Sequence, residues 1–151
     1  MTDNTIISIE DVVAEWRAES AIDETQINVE VCRTPSLHSK YLNYFVQFKN
    51  ELSKYESLYY RACNLKRKYY RGECTQEELK KYGWEQFQGL KPSLSEMNAY
   101  LEYDVELIKS REKIAELKTA VSSIEYILKS IASRDYSIKT LLDYNRYMNG
   151  G

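Results

Sequence analysis

Histidine occurs once in the 151 residues, at His38. A zinc site would therefore have to rest on cysteine, and any catalytic triad would have to be built around that one imidazole. Cysteine is also scarce. Cys32, Cys63 and Cys74 are odd in number and show no CxxC spacing, which argues against a disulfide framework and against a metal site, and favours reduced, semi-buried thiols. There are only five glycines and two prolines. So few breakers in a chain rich in Lys, Glu and Leu point to long helices rather than a turn-rich β fold. No apolar run approaches the length of a membrane span, and no basic-then-apolar leader opens the chain, so neither a membrane span nor a signal peptide is expected. No Gly-rich phosphate loop occurs, and no constellation of catalytic quality is visible.

Tyrosine, by contrast, is abundant, at 14 residues. It joins a large apolar ring to a polar tip and suits interfaces and base stacking as well as cores. Charge is distributed unevenly. The net charge is −2, yet residues 1–30 hold eight acids (Asp3, Glu10, Asp11, Glu15, Glu19, Asp23, Glu24 and Glu30) against the single base Arg17. The rest of the chain is correspondingly basic. Its sharpest cluster is Arg61, Lys66, Arg67, Lys68 and Arg71, within a stretch that contains no acid. An acidic arm on a basic body recurs in nucleic-acid-binding proteins; a solvated helix face beside an unrelated acidic tail has the same composition.

The chain reads as all-α. Ser8 and Asp11 resemble a capping box, followed by Ile9, Val12, Val13 and Trp16 at helical spacing, so a short amphipathic helix is predicted over about 9–19. Residues 22–33 read as an extended connector. Thr34 and Pro35 have the form of an N-cap and first helical position. From there Leu37, Tyr41, Tyr44, Phe48, Leu52, Tyr55, Leu58, Ala62, Leu65 and Tyr69 recur at threes and fours, which predicts one helix of about 37 residues, roughly 55 Å long, capped by Gly72. Thr75 with Glu78 starts a short helix to about Tyr82, and Trp84 and Phe87 anchor the loop that follows.

Ser93 with Glu96 opens a second long helix. Its seam begins with Met97, Leu101, Asp104, Ile108 and Arg111, where Asp104 and Arg111 suggest a buried polar pair. It continues as a heptad through Ile114, Leu117, Val121, Ile124, Leu128 and Ile131. A break is expected at Ser133-Arg134-Asp135, then a last helix to about Met148. The architecture expected is two long helices in an antiparallel hairpin with short N-terminal, loop and C-terminal helices. It divides into an acidic arm over 1–33 and a body over 34–151. Because a two-helix hairpin buries only one face of each helix, a helical homo-oligomer packed through the heptad residues is also expected.

On the first long helix, Tyr55, Leu58, Ala62, Leu65 and Tyr69 share the inward stripe. Arg61, Asn64, Arg67, Lys68 and Arg71 lie on the opposite arc with Tyr60, while Lys66 and Tyr70 sit at its margin. Cations beside aromatic rings suit single-stranded nucleic acid, with charges following phosphates and rings stacking on bases. Multiple copies in an oligomer would strengthen a patch that is weak alone.

The order of short motifs also resembles the UvsY family of recombination mediators from T-even-type bacteriophages. Ile9-Glu10-Asp11-Val12, Ile22-Asp23-x-Thr25-x-Ile27 and Ser39-Lys40-Tyr41-Leu42-Asn43 are similar to that family's pattern, as are Tyr69-Tyr70-x-Gly72, Ser95-Glu96-Met97 and Ser133-Arg134-x-Tyr136-x-Ile138-Lys139 with Asp143. The resemblance implies a non-enzymatic helper of homologous recombination, without cofactor or metal, in the cytoplasm of an infected bacterial host. It further implies a ring of about six to seven subunits, assembled through C-terminal helices. The implied partners are single-stranded DNA, a phage single-strand-binding protein and a phage RecA-like recombinase. The family's DNA-binding Lys-x-Arg before the Tyr-Tyr falls here on Asn64 and Lys66, so one cation is lost, and Arg61, Arg67, Lys68 and Arg71 would have to supply the charge. The DNA-binding set is then Arg61, Asn64, Lys66, Arg67, Lys68, Tyr70 and Arg71. A coiled-coil adaptor that binds no nucleic acid is the competing interpretation.

Overall fold

The computed structural model describes residues 7–150, which form five α-helices; among these residues there is no strand. Asp3 of the acidic arm lies outside the described residues. No helix among them is long and apolar enough to cross a membrane. The chain divides into two compact units, one drawn from Met1–Asn50 and Lys118–Gly151, the other from Glu51–Leu117.

The first helix, α1, spans Ile9–Glu19, with the Ser8 hydroxyl accepting from the Asp11 amide. Val12 is fully buried, and Trp16 meets Tyr41 edge-on with ring centroids 5.5 Å apart. Two of the arm's acids fasten α1 to the helix that follows it. Glu15 pairs with Lys40 at 2.9 Å and accepts from the Tyr44 hydroxyl, while Glu19 pairs with Lys40 at 2.8 Å and accepts from the Tyr41 hydroxyl.

The second helix, α2, spans Ile27–Tyr70, and its start corrects the expected extended connector and the expected N-cap at Thr34. The turn before it is set by Asp23, whose carboxylate accepts from the Thr25 amide and hydroxyl. Pro35 lies inside the helix. It removes one backbone hydrogen bond, an interior position that ordinarily costs about 3 kcal/mol. The carbonyl left without a donor belongs to Val31, a residue on the solvent side, so water can serve it. What holds this first stretch helical is a distant contact. Glu30 is buried and pairs with Arg134, far along the chain, whose guanidinium also donates to the Ser20 carbonyl at 2.9 Å.

At its other end α2 stops as expected. Gly72 adopts φ +70°, the Glu73 amide donates to the Lys68 carbonyl and the Gly72 amide to that of Tyr69. These two bonds close a Schellman turn. A Cβ at Gly72 would meet nothing closer than 4.0 Å, so the Gly72→Ala cost is backbone strain alone, expected at about 1–2 kcal/mol in thermal unfolding.

Helix α3 spans Gln76–Tyr82 and α4 spans Leu94–Tyr103, each opened by a complete capping box, Thr75 with Glu78 and Ser93 with Glu96. The second long helix begins later than expected. Asp104, at ψ 121°, ends α4 and caps α5, which spans Val105–Met148. Its carboxylate accepts from the amides of Glu106 and Leu107. The break expected at Ser133-Arg134-Asp135 does not occur. Arg134 turns inward to Glu30, and the Ser133 hydroxyl donates to the Ser130 carbonyl of its own helix.

The heptad residues Ile114, Leu117, Val121, Ile124 and Ile131 are buried within the chain itself, joined by Ile127, while Leu128 is only half-buried. In the unit of residues 51–117, Cys63, Met97, Leu101 and Leu107 form a core against which Tyr59, Ala62 and Tyr70 pack.

Candidate nucleic-acid interface

The inward face of α2 in this unit is rotated from the expected one. Tyr59, Ala62, Cys63, Lys66 and Tyr70 point inward, whereas Leu58 is about half exposed. Lys66, a cation, occupies a core position because its ammonium is satisfied three ways. It pairs with Asp104 at 3.1 Å and Glu106 at 2.9 Å, and lies 4.1 Å from the ring centroid of Trp84. Trp84 in turn donates its indole N–H to Glu106. Tyr70 donates its hydroxyl to Asp104 at 2.7 Å, and burial together with that bond pushes its phenol well above the ordinary range. Two of the residues expected to contact DNA are therefore engaged inside the fold.

Arg111 does not pair with Asp104 as expected; it donates to the Glu102 carbonyl instead. Trp84 and Phe87 anchor their loop as expected, packing on Tyr69 and, for Phe87, also on Tyr70.

The outward arc remains outward. Arg61, Asn64 and Arg67 are exposed, as is Tyr60 at 68%, and Arg71 is half-buried. Arg67 donates to the Asn64 side-chain carbonyl at 3.0 Å, which lays one guanidinium along the helix. Lys68 is less free. Its ammonium sits 2.6 Å from Glu78, whose hydrogen bond raises the lysine pKa, and the same bond with the Thr75 amide lowers that of Glu78. Tyr60, Asn64, Arg67 and Arg71 are spaced four, three and four residues apart, so they form one row on the helix surface. Among the described residues, no carboxylate pairs with Arg61, Arg67 or Arg71.

Sequence reasoning missed the groups that restrain the cations, namely Asp104, Glu106, Trp84 and Glu78. It also missed Lys91, which lines a cleft with Arg71. No periodicity links position 91 to 71, since a loop brings them together.

Residues 15–151 match the family described as "Recombination, repair and ssDNA binding protein UvsY". The chain belongs to the UvsY family. Two crystal structures of the bacteriophage T4 recombination mediator protein UvsY, lattice types IV and II, superpose on it with TM-scores of 0.80. They are 23% and 25% identical to it, and the matches cover 93% and 96% of this chain and 99% of each of theirs. No curated protein matches the sequence. In this UvsY-family chain Lys66, expected from the sequence to contact DNA, is locked between two carboxylates.

Proposed function

We propose that the chain is a non-enzymatic phage recombination mediator that binds single-stranded DNA on the outer arc of α2. In this reading it helps load a RecA-like recombinase onto strands covered by single-strand-binding protein, in the cytoplasm of the infected host. The observation that carries the DNA-binding part is the row of Tyr60, Asn64, Arg67 and Arg71, exposed or half-exposed and, among the described residues, free of carboxylate partners. An exposed ring beside guanidinium groups provides stacking and phosphate contacts without demanding a sequence. Lys66 and Tyr70 act from beneath, fixing the helix that displays the row. The two long helices serve as the scaffold, and the exposed acids of the arm over 1–33, such as Glu10 and Glu24, are left to contact protein partners.

A homo-oligomer, a ring by family resemblance, would multiply a weak patch into a strong one. Since most heptad residues lie in the chain's own core, assembly in this reading uses the outer face of α5, where Tyr126, Tyr136 and Tyr147 are 70%, 76% and 82% exposed.

Titration of a fluorescent single-stranded oligonucleotide at several salt concentrations, with light scattering on the same samples, tests both parts. Binding should fall steeply with salt. Arg67→Glu should weaken it by more than tenfold without changing the oligomer's mass. Lys68→Glu should cost less binding, because Glu78 already holds that ammonium. An assembled protein that ignores DNA would instead be an adaptor.

A further inference from the structure

The row on α2 does not end at the helix terminus. We propose that the cleft between Arg71 and Lys91 seats a phosphodiester of the bound strand, so that the DNA track runs from Tyr60 along α2 and off its C-terminal end. This deepens the single-strand-binding reading and rests on it.

From Tyr60 to Arg71 the row spans eleven residues, about 16 Å of helix. Beyond Gly72 the chain turns away, and the loop before α4 returns Lys91, Pro92 and Ser93 to the side of Arg71. With Glu73, Leu94 and Met97 these residues line a cleft of about 230 Å³, enough for a phosphate and a few waters at about 30 Å³ each.

Three features select a phosphodiester over a base or a peptide. First, neither Arg71 nor Lys91 has a carboxylate partner among the described residues, unlike Lys66 and Lys68, which are held by three carboxylates between them. Two available cations thus face one acid, Glu73. Second, the cleft contains no aromatic ring. Its apolar wall is Pro92, Leu94 and Met97, which offers a base nothing to stack on. Third, Arg71 follows Arg67 by one helical turn, so a strand whose phosphate meets Arg67 is carried directly toward the cleft. The guanidinium fork suits phosphate oxygens, and the Lys91 ammonium adds a second charge from the facing wall.

The test is fluorescence anisotropy of labelled oligo-dT and oligo-dA with the full chain, over a salt series. Lys91→Glu should weaken binding about tenfold near 0.15 M salt and reduce the slope of log K against log salt by about 0.7 per subunit. Lys91→Gln should reduce the slope similarly with a smaller loss of affinity, which separates a missing contact from new repulsion. Both losses should be equal for the two oligonucleotides. Lys113→Glu, at an exposed lysine on α5 paired with Glu116, should change neither quantity. Far-ultraviolet circular dichroism verifies that each variant is folded.

If Lys91→Glu behaves like Lys113→Glu while Arg67→Glu still weakens binding by more than tenfold, the seat is wrong and the single-strand reading stands. A loss confined to one oligonucleotide would assign the cleft to a base and overturn the phosphodiester. If the unmodified protein binds neither oligonucleotide, the seat falls together with the reading beneath it.

Discussion

Asp104→Ala is expected to destabilise the folded chain by about 3–5 kcal/mol, the range for breaking a buried ion pair from one side. Three losses combine at this position. The amides of Glu106 and Leu107 lose the side chain that caps α5, an effect of about 0.5–2 kcal/mol by itself. The buried Lys66 ammonium keeps as its one carboxylate Glu106, itself largely exposed, beside the Trp84 ring. The Tyr70 hydroxyl loses its acceptor beneath the aromatic cluster. Thermal unfolding should show a fall in Tm on the order of 10 °C.

Asp104→Asn separates these contributions, because asparagine caps a helix about as well as aspartate but carries no charge. It should lose clearly less than alanine. The wild type should also show an acid sensitivity at this position that the Asp104→Asn variant lacks. Burial alone would raise the Asp104 pKa, yet the Tyr70 hydroxyl, the Leu107 amide and Lys66 outweigh it and hold the carboxyl below its ordinary range. A depressed carboxyl contributes its full stabilisation above its unfolded pKa, near 3.9, and loses it as pH falls through the lower folded value. The difference in stability between wild type and Asp104→Asn should therefore shrink on acidification below about pH 4. A difference that stays constant down to pH 2 would mean that the carboxylate charge contributes nothing.

These same residues show where the sequence is legible. Helix ends that depend on adjacent residues can be read directly: Ser8 with Asp11, Thr75 with Glu78, Ser93 with Glu96, and Gly72 with its positive φ. Each is a contact across a few residues, and its chemistry is local. The misplaced boundaries all depend on distant partners. Proline usually opens a helix, so the sequence alone starts α2 at Pro35, whereas the helix is carried across it by Glu30 meeting Arg134, more than a hundred residues away. The same pair removes the expected break at 133–135. The sequence alone puts Lys66 at the margin of the outer arc, because a cation has no intrinsic reason to face a core. The carboxylates that receive it lie at the cap and in the first turn of α5, and the indole lies on a loop. On the outer arc, where nothing distant interferes, the assignment of Arg61, Asn64 and Arg67 to the surface needs only helical geometry.

The Glu30–Arg134 pair should give the largest non-additive effect in the molecule. Both side chains are more than 90% buried, and the guanidinium also donates to the carbonyls of Ser20 and Ala21 in the connection after α1. Removing one partner leaves the other charged and shielded from water. Arg134→Met and Glu30→Met are each expected to cost about 3–5 kcal/mol in urea unfolding. Arg33, 3.5 Å from Glu30 and partly exposed, would recover only a little of the first loss. The double replacement behaves differently because burial imposes a desolvation cost on both ions, and the fit is incomplete: the Nε of Arg134 is buried without a partner. Two methionines in this site avoid that cost. Ser20 and Ala21 are exposed residues, so their carbonyls can turn to water. The double variant should therefore lie within about 2 kcal/mol of the wild type, far above the sum of the single losses. Additive losses would mean that each side chain contributes through packing rather than through the other's charge. Recovery would mean that the pair sets which turn of α2 meets α5, and that Pro35 is tolerated because burial on its N-terminal side keeps the helix in place.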